Sequence, residues 1–69
     1  MSRNRLLVNR DHTHQLIVCT GNDGWDIREE EDATVLMRVH RDDWHRVERD
    51  ILLFDTRAEI LRRAGWIEL

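Results

Sequence analysis

Four histidines and one cysteine carry the most obvious chemical potential in this chain: His12, His14, His40, His45 and Cys19. Imidazole nitrogen and thiolate sulfur are the donors that tetrahedral zinc prefers. In an extended segment His12 and His14 share a side, while His40 and His45 stand near a helix start. The spacing contains no CxxC and no HExxH, and there is only one thiol. We therefore assign no metal and no cofactor, and read the histidines as polar residues at turns and caps.

Nucleophilic chemistry has little to work with. Cys19 sits in an apolar run, where a thiol is an inert small hydrophobe, and Ser2 lies near the start of the chain. No tyrosine is present, and Gly21 and Gly24 do not form a phosphate-cradling loop followed by lysine. Adjacent acids such as Asp42 and Asp43 do not face one another on a helix. The chain reads as a binder and not as an enzyme.

Two charge patterns bear on what it binds. Asp23, Asp26, Glu29, Glu30, Glu31 and Asp32 place six carboxylates within ten residues. On a hairpin tip and its flank they would engage a basic groove on another protein, steered by their field. Their plainer role is a solvated turn. Arg46 and Arg49, with Arg57, Arg62 and Arg63, offer the opposite surface, a helix-corner-helix unit reading DNA. Against that stands a net charge of −3, where a phosphate binder carries a concentrated basic face. All eleven basic residues are arginine, which GC-rich coding explains better than recognition of carboxylates or phosphates, since the arginines do not cluster.

Trp25, Trp44 and Trp66 complete the candidates. Trp25 and Trp44 occupy positions suited to a core. Trp66, beyond the last helix, is the one expected to stay partly exposed and to meet a partner, as interface tryptophans do.

These residues need elements to hold them. Sixty-nine residues make one domain, 1–69, and a chain of this size buries only about 60% of its unfolded surface. With a single cysteine it has no internal disulfide to add to a core contributing about 3–5 kcal/mol. Charged residues are 36% of the chain, but the apolar 41% fall in periodic blocks, so the chain folds. No apolar run resembles a signal core or a membrane span, and a free thiol without an export signal suits the cytoplasm.

Leu6-Leu7-Val8 is the first apolar block. Gln15 to Thr20 is apolar at four successive positions, which suits a central strand covered on both sides. Asp23-Gly24 signals a hairpin, after which Trp25 and Ile27 alternate inward. Val35, Met37 and Val39 repeat at period two, and their β-branched neighbours favour a strand for residues 33–40, although the same residues could run as helix into Asp42.

The stretch 41–66 is the best specified. Asp42 or Asp43 caps a helix carrying Trp44, Val47 and Ile51 on one stripe. Leu53 lies opposite that stripe, so the helix ends near Leu52 unless Leu53 meets a partner. Thr56-x-x-Glu59 fits a capping box for a second helix with Ile60, Leu61 and Ala64 inward and Gly65 as its cap. Residues 66–69 add a terminal edge strand.

The expected architecture is α+β: an antiparallel β-meander of three or four strands followed by two short helices packed on one face. The leading functional expectation is a small protein-binding module, an inhibitor or modulator of a larger protein or nucleoprotein assembly, acting through the acidic segment and Trp66. Accessory proteins of phages and mobile elements share this profile. The alternatives are a small DNA-binding regulator and a homo-oligomeric subunit joined through Trp66 and the terminal strand, with a homodimer as its simplest form. None involves a membrane.

Overall fold

A computed structural model describes residues 2–69 of the chain, with side chains from residue 3 onward. Four strands follow one another: β1 (Ser2–Asn9), β2 (His12–Gly21), β3 (Gly24–Glu31) and β4 (Thr34–Arg41). One helix, α1 (Trp44–Arg63), comes next, and a two-residue strand, β5 (Ile67–Glu68), closes the chain. Together they form a five-stranded sheet in the order β4-β3-β2-β1-β5, with every neighbouring pair antiparallel.

Two-residue turns join the first four strands, with Arg10 at φ 57 in the first. Gly24 has φ +140, and a Cβ there would collide with the Arg41 carbonyl oxygen, so glycine is required by both conformation and space. In the β3–β4 turn, Asp32 (φ 49) and Ala33 (φ 67) both adopt positive φ, as tight hairpins that match strand twist demand. The β3–β4 register shifts between Glu29 and Glu30, leaving Leu36 of β4 without a partner in the ladder.

The α+β class is as expected, with five strands where three or four were expected, and one helix in place of two. The second difference has a clear cause. Val47, Ile51, Phe54, Ala58 and Leu61 recur at intervals of four, three, four and three, so one apolar stripe runs the whole length of α1. Nothing from 44 to 63 interrupts it, since the segment lacks glycine and proline. Thr56 is no cap: its Oγ1 donates back to the Leu52 carbonyl at 3.3 Å inside the helix. Glu59 meets Arg62 and Arg63 instead.

The ends of α1 follow the reading more closely. Asp43 is the N-cap, its Oδ1 accepting from the His45 amide at 3.0 Å. At the other end the Gly65 amide donates to the Arg62 carbonyl at 3.1 Å and the Trp66 amide to the Leu61 carbonyl at 3.0 Å. With Gly65 at φ +104 this is a Schellman cap, and it turns the chain so that β5 pairs along β1.

A single helix covers a single face. Leu7, Leu16, Val18 and Ile27 from the sheet meet Val47, Phe54 and Ala58 from α1, all nearly inaccessible to solvent. β2 is therefore covered on one side, not two: Ile17 is half-buried and Cys19 exposed on the open face. Trp25 and Trp44 are not central to the core. They pack on one another at its edge, centroids 5.3 Å apart, with Trp25 half-buried and Trp44 exposed. Ile60 points away from the core, 62% exposed, because the continuous helix rotates it off the buried stripe.

Candidate binding surface

The acidic segment is dispersed by the geometry of the strand that carries it. Successive residues of β3 point to opposite faces, and its eight residues span roughly 25 Å. Asp23 lies in the β2–β3 turn. Asp26 and Glu30 project from the open face, where Asp26 faces His40 at 2.8 Å and Glu30 accepts from Gln15 at 3.1 Å. Glu31 and Asp32 occupy the far end, and Asp32 accepts from the Thr13 amide at 2.9 Å and faces His12 at 3.0 Å. Glu29 is 2% exposed beneath α1, so it is no part of any accessible surface. The six carboxylates do not form one patch.

Burial of Glu29 creates the most unusual polar cluster in the molecule. Its Oε2 lies 2.7 Å from His14 Nε2, also buried, and its Oε1 accepts from Arg57 of α1. The other ring nitrogen of His14, Nδ1, is buried without a hydrogen-bond partner. Phe54 and Trp66 wall the imidazole, with ring centroids at 5.8 and 6.5 Å, Trp66 edge-on. Trp66 is thereby half-buried and occupied within the fold.

A second network holds the other flank of α1. Arg5 Nε and one terminal nitrogen donate to both oxygens of Glu68 at 2.8 and 2.9 Å, and the other terminal nitrogen donates to Asp55. Arg62 also donates to Glu68, at 2.6 Å, and Arg5 lies over the Phe54 ring at 5.2 Å. The Glu68 hydrogen bond, ahead of the others, raises the Arg5 pKa, and Arg5 in turn lowers that of Glu68. This flank ties β1, α1 and β5 together with its charges matched.

The histidines do not converge. His12 and His40 each have a carboxylate neighbour that raises their pKa chiefly by hydrogen bonding, Asp32 for the first and Asp26 for the second. His45 is exposed with Glu48 at 3.6 Å. Among the described residues no three histidine, cysteine or acidic side chains are grouped to hold a metal ion. The side chain of Ser2 lies outside the described residues.

The solvent side of α1 contrasts with these satisfied regions. Leu52, Leu53 and Ile60 are 64%, 54% and 62% exposed. Leu53 and Ile60, seven residues apart, share a flank with Arg46 and Arg49. Arg41, Arg46, Arg49, Asp50 and Leu53 line a shallow recess of about 400 Å³ where the end of β4 meets the helix. Sequence reasoning missed this surface because it broke the helix at Leu52, although the phase of Leu53 was its signal.

This is a helix-on-sheet fold with a one-sided core, and among the described residues no helix is long and apolar enough to cross a membrane. Comparison with protein-family models, curated proteins and solved structures finds no match for the chain.

Proposed function

We propose that this protein acts by binding another protein, as a modulator of a larger assembly, and that it makes contact through the solvent side of α1. The observation that carries this reading is the exposure of Leu53 and Ile60 on an unbroken helix. The phase of Leu53 suggested a helix end or a partner, and α1 runs on past it. Fully burying such a side chain contributes about 1.5–3 kcal/mol, and a partner covering the exposed part of each would recover roughly half of that.

The acidic segment is a weaker contact surface, because Glu29 is internal and its neighbours are divided between two faces and two ends. The helix-corner-helix unit required by the DNA reading is absent, since α1 is continuous. A homo-oligomer joined through Trp66 finds that ring packed against His14.

The test is affinity capture from a lysate with the wild type, with Leu53→Asp/Ile60→Asp, and with Glu30→Gln/Glu31→Gln. Specific capture that is lost in the first variant and kept in the second supports the reading. Capture that depends on the glutamates, or no specific capture at all, overturns it. Circular dichroism confirms that each variant keeps its helix.

A further inference from the structure

Most arginines on this protein are answered by carboxylates. Arg5 pairs with Asp55 and Glu68, Arg28 with Glu30, Arg41 with Asp50, Arg57 with Glu29, and Arg62 and Arg63 with Glu59. Among the described residues Arg3, Arg10, Arg38, Arg46 and Arg49 are not so answered, and of these Arg46 and Arg49 stand together on one flank of α1. Among the described residues neither makes an ion pair or a side-chain hydrogen bond, yet both border the recess beside Leu53. Within it Arg41 Nε lies 2.9 Å from Asp50, so that pair is neutral and two positive charges remain uncompensated.

Arg46 stands in the first turn of α1, where the positive dipole end disfavours a cation, and Arg49 follows one turn later. Neither forms an ion pair with Asp42, Asp43 or Asp50, the acids nearest them along the chain.

We propose that the recess receives a carboxylate-bearing segment of a partner protein, its Asp or Glu side chains bridging Arg46 and Arg49 and an apolar neighbour resting on Leu53 and Ile60. The inference rests on the protein-binding reading above and names the chemistry of the partner. Guanidinium forks match carboxylates in a two-point hydrogen bond. Charge complementarity selects an anionic partner, and the exposed leucine and isoleucine select one with apolar side chains as well. A nucleic acid would use the arginines and leave the exposed leucine and isoleucine idle. Arg38, also unpaired, stands opposite Arg28 on the open face, but Arg28 is held by Glu30, so that recess offers one free guanidinium and not two.

Fluorescence anisotropy with a short labelled peptide of Glu, Leu and Ser tests the proposal, beside a Gln-for-Glu peptide and a short DNA duplex. The Glu peptide binds the wild type, weakens at least about tenfold with Arg46→Glu/Arg49→Glu, and stays within about twofold with the charge-matched Arg3→Glu/Arg10→Glu. The Gln peptide binds at least about tenfold less well. Absence of Glu-peptide binding, equal loss in both double variants, or tighter binding of the duplex overturns the proposal. In lysate capture, binding that survives Arg46→Glu/Arg49→Glu but not Leu53→Asp/Ile60→Asp overturns the recess and leaves the protein-binding reading standing.

Discussion

His14 on β2 and Glu29 on β3 are diagonal neighbours on the covered face of the sheet, 2.7 Å apart and both nearly inaccessible to solvent. A histidine and a carboxylate in an apolar interior cost desolvation energy that only good pairing offsets. Arg57 completes the pairing from the helix and thereby registers α1 against β3.

Glu29→Ala leaves His14 and Arg57 without their acceptor. The expected loss is about 1–3 kcal/mol in urea unfolding, the cost of an unsatisfied buried polar group, because Arg57 is half exposed and is solvated once the acid is gone. Joint replacement, His14→Phe with Glu29→Leu, should cost much less, since no orphaned polar group remains. A loss below about 1 kcal/mol for Glu29→Ala, the range of surface pairs, would show that the pair is effectively solvated.

Thr56 separates one helix from two. As an N-cap its replacement by alanine would cost about 1 kcal/mol. Inside a continuous helix, Thr56→Ala should instead be neutral or stabilise by up to about 0.7 kcal/mol, the propensity difference. Thermal unfolding of this one variant decides between the two arrangements.

Ala33 holds φ 67 in the β3–β4 turn, a conformation that costs a residue with a Cβ about 1–2 kcal/mol. Ala33→Gly removes that cost and adds unfolded-state entropy worth about 0.4–1 kcal/mol, so a net gain of about 0.5–1 kcal/mol is expected. The melting temperature should rise by a few degrees. Gly24→Ala, facing the Arg41 carbonyl, should move it the other way.

Stability should depend on pH from both sides. His12 and His40 have folded pKa values above the ordinary 6.5, so their contribution is complete below 6.5 and is lost as pH rises through the raised values. Asp32, Glu59 and Glu68 are lowered, the first chiefly by the Thr13 amide and the others by arginine hydrogen bonds. Their contribution is present above the ordinary carboxylate values and is lost as pH falls through the lowered ones. The most stable region should therefore lie between the carboxylate and histidine ranges. Histidine NMR titration checks the assignment: Asp26→Asn should return His40, and not His12, toward its ordinary value.

Much of the architecture was legible in local pattern. Period-two alternation marked Trp25 to Glu29 and Val35 to Val39 as strands, and Asp23-Gly24 and Ala64-Gly65 marked a turn and a cap. Asp43 is the N-cap the reading allowed. The recess was not legible, because Arg41 comes from a strand end and Arg46, Arg49 and Leu53 from a helix whose continuity local signals denied.

The sequence alone determined the α+β class, the order of strands before helix, the capped ends of α1 and the terminal strand, because periodicity and turn chemistry act over a few residues. Only tertiary structure decided the rest. A threonine three residues before a glutamate caps a helix or lies within one, depending on whether Phe54 and Ala58 find a sheet to pack on. A glutamate in an acidic run is a surface charge or a buried acceptor, depending on which face of β3 the helix covers. Burial against a distant element settles both, and no local spacing records it.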